Sequence, residues 1–402
     1  MSKVCAGKKA VACRGVAPVA ARGVRVWCPP LTPQLLLLLP IVLTACLDWG
    51  SLSQLGGELA IAHLPRDAQF AGSADLTFAS ATLDTTVPEL RGVTLPAGVT
   101  LDVWPHEPFG PELAVLHVRG LTVPAGVTLR VIGSRPLVIV AATDVEVSGT
   151  LDAAGHGDEP GAGAAMRGSG ADGRDDGNAS AGGGGAGHAT PGAGGSNASA
   201  TAGGLGGEAY GEPELGVLTG GSKGGSGWYE ACAPQAGGAG GGALQLFSAS
   251  AILVRDGASI NVGGGGGRGG VICNTAAAGS GGGSGGALLL QAAQVQVRGV
   301  LAANGGGGGS GTTGCGGFSD DGLPGEDGTA SASPARGGIS AGCASQVGGG
   351  GGALQAGPSA GGPGSGVSGG GGGAAGRIRI VSQQPAALDG VVSPAPSLAS
   401  GS

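Results

Sequence analysis

The sequence predicts an all-β chain: a right-handed parallel β-helix, a solenoid of stacked strands, with long glycine-rich loop excursions and a signal peptide at the N-terminus. Three observations carry that expectation. A decapeptide, Gly92-Val-Thr-Leu-Pro-Ala-Gly-Val-Thr-Leu101, returns 28 residues later as Gly120-Leu-Thr-Val-Pro-Ala-Gly-Val-Thr-Leu129, and a period of that size marks stacked-repeat architectures. Three later segments, 137–152, 242–262 and 286–301, each read as strand, turn, strand, turn, strand, with alternating apolar and small polar residues rich in Val and Ile. Finally, 94 of the 402 residues are glycine while aromatics are 3% and charged residues 12%. An average chain has about 7% glycine and about 25% charged residues, so Leu, Ile and Val in short segments must supply nearly all of the core. Collagen is excluded, because the glycines keep no strict three-residue period.

Taken in chain order, residues 1–45 read as an export signal. Lys3, Lys8, Lys9, Arg14, Arg22 and Arg25 form a positive region with no acidic residue, followed by the apolar run 35–45, broken once by Pro40. Roughly eleven apolar residues suit a signal-peptide core and fall short of the about 20 needed to span a bilayer. The run ends in Leu43-Thr44-Ala45-Cys46, which resembles the lipobox of bacterial lipoproteins. That resemblance implies lipidation of Cys46 after cleavage. Leu47, rather than an aspartate, follows the cysteine, and in such lipoproteins this leans toward the outer membrane. Removing six of 20 basic residues and no acidic ones leaves 14 against 27, a charge of −13, with Lys223 as the only remaining lysine.

Residues 46–90 read as a tether and spacer with no clear period. The body is expected over 91–382, with glycine-rich insertions at about 153–241, 263–285 and 303–375, and a flexible tail at 383–402. In the repeat, Pro-Ala-Gly is a turn between two short strands. Gly-Gly-Ala-Leu opens strands at 241–244 and 285–288; at 351–354 Gly357 and Pro358 interrupt it, and Gly376-Arg-Ile-Arg-Ile-Val381 replaces it as the closing strand. The insertions are read as simple loops. Packed polyproline-II-like strands are the other physical possibility, since only glycine permits such close backbone approach.

The Gly-Gly-Ala-Leu strand starts, the Val-x-Val-x-Gly-x-Leu segments and the Ala-Asn-Gly-Gly-Gly exits, spread over about 92–381, resemble the glycine-rich β-helical surface lipoproteins of myxobacteria. The resemblance implies a fold more than a function, because most such proteins have no assigned activity.

Four cysteines beyond Cys46 sit in the glycine-rich insertions: Cys232, Cys273, Cys315 and Cys343. An even number in an exported chain suggests disulfides. Of the three possible pairings, proximity in the chain favours Cys232–Cys273 and Cys315–Cys343, and each loop of about 30 to 40 residues would contribute roughly 3–4 kcal/mol. Zinc is disfavoured by the lack of any Cys-x-x-Cys spacing. Two acidic clusters invite comparison with calcium sites: Asp172, Asp175, Asp176 and Asn178, and then Asp320, Asp321, Glu326 and Asp327. Neither has EF-hand or β-roll spacing, and both read as solvated acidic loops. No cofactor is expected.

For an enzyme, candidate acids and bases are Asp144, Glu146, Asp152, His156 and Asp158, but the matching positions of the later segment are Gln294, Gln296 and Arg298. No cleft of converging acids is visible. His106, Glu107 and His117 read as scattered surface or turn residues. The formal charge of −7, with no basic run beyond the first 25 residues, excludes nucleic acid as a partner. The expectation is therefore a non-enzymatic, disulfide-bonded outer-membrane lipoprotein, periplasmic or surface-facing. It would touch the membrane through its lipid anchor and act in structure or adhesion toward polysaccharide, matrix or other cells. The alternative is a carbohydrate-active β-helix enzyme, against which the low aromatic content speaks.

Overall fold

The computed structural model describes residues 60–65, 72–227, 234–272, 276–312, 320–339 and 346–400, all within the unit Trp49–Ser402. Short, β-branched, alternating segments become strands. In chain order they are β1 (Leu76–Thr77), β2 (Ala81–Asp84), β3 (Glu89–Arg91), β4 (Thr100–Trp104), β5 (Leu113–Val118) and β6 (Leu121–Val123). Next come β7 (Thr128–Ile132), β8 (Leu137–Ala141), β9 (Val145–Val147), β10 (Thr150–Asp152), β11 (Ala243–Val254) and β12 (Ser259–Asn261). The last are β13 (Ala287–Val297), β14 (Val300–Ala302), β15 (Arg377–Ser382), β16 (Ala387–Leu388), β17 (Val391–Ser393) and β18 (Ser397–Ser400).

The strands sort into two sheets. An 11-stranded sheet A runs β1-β6-β9-β11-β13-β15-β18, with β4, β5, β8 and β16 attached, and a 7-stranded sheet B runs β17-β14-β12-β10-β7-β2-β3. Pairing is parallel except for two antiparallel pairs at the N-terminal end, β2 with β3 and β4 with β5. The inner faces meet in one core. Register aligns Leu129, Leu151, Ile260, Leu301 and Val392 in sheet B, and Ile139, Leu246, Leu290 and Ile380 in sheet A. Most of these side chains are fully buried, and each contributes roughly 1.5–3 kcal/mol. The outer face of sheet A is covered as well: Leu64, Leu215 and Leu218 pack over Val138, Val140, Phe247 and Leu289.

This arrangement overturns the expected right-handed parallel β-helix with loop excursions. The turn expected after Phe247 is only a bulge between Ser248 and Ala251 inside one long strand, β11, and β13 is equally continuous. The segments 242–262 and 286–301 therefore each give sheet A one long strand and sheet B one short one, whereas 137–152 keeps three strands, β8 and β9 in sheet A and β10 in sheet B. Mostly parallel strands joined by long crossovers are the pattern of α/β sheets, yet no α-helix occurs among the described residues and glycine-rich segments make the connections. The two decapeptides share one local turn, with Val99 N donating to Pro96 O and Val127 N to Pro124 O, both at 3.1 Å. Gly98 and Gly126 take φ of +89° and +77° there, as the third position of a type II turn requires. Their pairing then differs: the first copy leads into antiparallel β4, the second forms β6 and opens β7. The boundaries also move, since β1–β3 occupy much of the expected spacer and β16–β18 occupy the expected tail.

The insertions are not loops. Along 182–187 the backbone donors point in three directions that repeat every third residue. Gly183 and Ala186 donate to Gly279 and Gly282; Gly182 and Gly185 to Ser196 and Ala193; Gly184 and Gly187 to Ala171 and Gly168, at 2.8–3.2 Å. Three residues per turn with every backbone group turned outward is polyproline-II geometry. The run 277–286 is bonded to six others, 182–189, 220–227, 235–242, 263–270, 303–312 and 366–376. Side chains would not fit: a Cβ on Gly283 would press into the Ala239 carbonyl, and one on Gly184 into that of Leu205. Buried serines supply further acceptors, beside a carbonyl at Gly182 and in place of one at Ser222 and Gly227. Ser368 Oγ accepts from Gly182 N at 2.9 Å, Ser284 Oγ from Ser222 N at 2.8 Å and Ser280 Oγ from Gly227 N at 2.9 Å.

Candidate functional site

Chemically active side chains converge where the glycine bundle leaves sheet B. Asp152 ends β10 and is register partner to Arg130 on β7, with the two charges 3.3 Å apart. Four residues on, His156 sits in a tight turn closed by reciprocal bonds to Glu159. That turn aims Nε2 at Asp152 Oδ2, 2.9 Å away, and Nδ1 at Asp327 Oδ2, 3.1 Å away. Asp327 comes from the third insertion, and its Oδ1 accepts Gly157 N at 2.9 Å and Gly266 N at 2.7 Å. One carboxylate thus ties together all three insertions.

The electrostatics make this a closed ion cluster. Bonds from Asp152 and then Asp327 lift His156 to about 9, against a smaller opposing effect of burial. Burial pushes both carboxyls upward, but His156 with Arg130 for Asp152, and His156 with the Gly157 and Gly266 amides for Asp327, outweigh it and leave both lowered. His156 is an imidazolium at neutral pH with both nitrogens donating. It has no lone pair to act as a general base or a metal ligand.

The other acids expected for catalysis do not join this cluster. Asp158 pairs with Arg268 at 2.8 Å, Glu146 with Arg255 at 2.7 Å, and Asp144 Oδ1 accepts Ala251 N at 3.1 Å. The calcium candidates are dispersed in the same way: Asp321 Oδ1 accepts Ile272 N at 2.8 Å and Glu326 Oε2 accepts Arg336 N at 3.0 Å. Asp320 has a partner of its own, while Asp327 holds His156. In the first acidic cluster Asp176 caps Asn178 N and Ala179 N and accepts Thr201 Oγ1, and Asp172 caps Ser226 N. Among the described residues no group of three or more His, Cys, Asp or Glu could hold a metal ion.

The remaining histidines are buried packing groups, which corrects the surface assignment of His106 and His117. Burial pulls both down to about 4. His106 Nε2 accepts Leu218 N at 3.0 Å, and its ring lies 4.7 Å from that of His63, which reaches Gln245 Oε1 and Leu215 O. Sequence reasoning missed Arg130, Gln245 and the His188–Tyr210 pair. Those two rings stack at 4.5 Å, His188 Nδ1 donates to Gly285 O at 2.6 Å, and burial holds His188 near 4 and lifts Tyr210 to about 12. The available signal was isolation: two ring side chains in a stretch otherwise mostly of glycine, alanine and small polar residues.

Runs that follow one another in the chain reverse direction, as 182–187 and 193–196 do, so their turns gather at the end away from the sheets. The turns at 174–179, 197–202 and 363–366 lie there and are bonded to one another: Ser180 N donates to Gly366 O, Ser199 N to Gly364 O, and Thr201 Oγ1 to Asp176. Runs ending at Gly227, Ile272, Thr312 and Ile339 point the same way. Cys232, Cys273, Cys315 and Cys343 each follow one of those run ends in sequence, but they and Cys46 lie outside the described residues. Among the described residues no helix is long and apolar enough to cross a membrane. No family model matches the chain, and neither a curated protein nor a solved structure matches it.

Proposed function

We propose that the chain is a non-enzymatic structural or adhesive body of the bacterial envelope, held to the outer membrane by a lipid on Cys46 and meeting matrix, glycan or neighbouring cells. The observation that carries this reading is the glycine bundle. It is a scaffold held by backbone hydrogen bonds whose turns collect at one end, the arrangement by which rigid scaffolds present contact loops. The acid–base groups point the same way, since His156, Asp152 and Asp327 saturate one another. Lipidation of Cys46 would give the body a stable attachment, and the acidic charge would keep a glycine-rich surface soluble.

The test is protease digestion of the tagged protein on intact cells, with Cys46→Ala as the control. Cleavage of the wild type on unbroken cells, and release of the Cys46→Ala protein from the membrane fraction, is the expected result. Protection until the outer membrane is opened would overturn the adhesive role.

A further inference from the structure

The two ends of the core are finished differently. At the N-terminal end the last inward layer is covered: Leu90 on β3 and Val99 are 7% and 6% exposed, and Val93 and Leu95 pack against the same core cluster. In sheet B the edge strand there, β3, carries Glu89 and Arg91, charges of the kind that block edge-to-edge pairing. At the C-terminal end nothing comparable is built among the described residues. Leu398 on β18 is in register with Ile380, whose side chain faces the core, yet Leu398 is 61% exposed. Val392 and Leu388, which continue the inward rows of Leu301 and Val297, are only partly covered. Among the described residues, β18, β17 and β16 each pair with a strand on one side only. Asp389 is the one charged residue from 383 to 400.

We propose that this end is an interface between two copies of the chain, joined tail to tail across a two-fold axis. Each free edge offers a row of backbone donors and acceptors, so its partner must be another strand. Two identical edges related by a two-fold axis pair antiparallel, and an axis perpendicular to the sheets keeps both cores on the same side. Leu398 then faces Leu398 of the second copy and Ser397 faces Ala399. Val392 of β17 meets its counterpart in the same layer, and the open core end of each copy is closed by the other. Self-pairing is permitted here because this acidic chain places almost no charge on this edge. The contact uses the same edge on both copies, so it is consumed once made and the assembly closes at two.

Sedimentation velocity of the purified protein over a range of concentrations, beside Leu398→Lys and Leu398→Cys variants, tests this. The account expects a dimer whose dissociation constant rises at least about tenfold in Leu398→Lys, at the 1.4 kcal/mol per decade conversion. Leu398 is mostly exposed within one copy, so that variant folds as the wild type does, which circular dichroism checks. Under oxidation the Leu398→Cys protein is expected to give a covalent dimer linked through position 398, identified by peptide mapping. A monomer at every concentration, or a dimer indifferent to Leu398→Lys with no link through position 398, would overturn the proposal.

Discussion

The sheet body and the glycine bundle are two solutions to burying a backbone. In the sheets, strands satisfy their hydrogen bonds laterally and leave side chains to fill the space between layers, so stability follows from Leu, Ile and Val in aligned rows. In the bundle, polyproline-II runs bond to neighbours in three directions and the space between runs is filled by backbone itself. The difference teaches that a core need not be made of side chains. It also predicts that the two regions fail for opposite reasons, one when atoms are removed and the other when atoms are added.

The largest effect is expected in the sheets. Leu246→Ala removes a fully buried side chain from the inward row and should cost about 2–5 kcal/mol, read by chemical denaturation. In the bundle the reverse change should hurt. Gly283→Ala adds one methyl group against the backbone carbonyls of Ala239 and Gly238, and should cost about 1–3 kcal/mol. Gly357→Ala, where an added Cβ meets nothing within 4 Å, is the control and should stay within about 0.5 kcal/mol. Equal tolerance at Gly283 and Gly357 would break the comparison.

A smaller, pH-dependent effect is expected at the ion cluster joining the two regions. His156 is raised in the folded state to about 9, so its contribution is complete below the ordinary histidine value and fades as pH rises through about 9. The lowered Asp152 and Asp327 contribute above the ordinary carboxylate range, and that part fades as pH falls through their lowered values. Asp327→Asn keeps an acceptor for Gly157 and Gly266 but loses the charge. It should cost about 1 kcal/mol, discounted because His156 is 42% exposed. The gap between wild type and variant should be widest from weakly acidic to neutral pH and should close above pH ~9. A gap that stays constant across that range would mean that the cluster acts by packing alone.

Much of the strand content was legible. The segments at 137–152, 242–262, 286–301 and 376–381 become strands where alternation placed them, because a buried face imposes a period of two. The sheet architecture was not, for a definite reason. Whether Phe247 and Ile252 are separated by a corner or by a bulge depends on neighbouring strands, and the sequence Ser-Ala-Ser-Ala between them permits both. The two decapeptides likewise encode the same turn while their strand partners differ. The bundle was hidden because glycine carries no side-chain period. Its threefold order exists only in the directions of backbone bonds, and composition alone also fits a flexible linker. Of the ion cluster, Asp152, His156 and Asp327 could each be picked out, but their meeting across 171 residues of chain could not.

The central claim is that the glycine-rich insertions form a hydrogen-bonded core of their own. Amide hydrogen exchange over 182–187 and 279–286, measured beside β11 and β13, tests it most directly. The account predicts protection of these glycine amides by orders of magnitude over free-chain rates, approaching that of the sheet strands, since each donor is bonded within the bundle. Exchange of those amides at the rate of an unstructured chain, with the strands still protected, would contradict it.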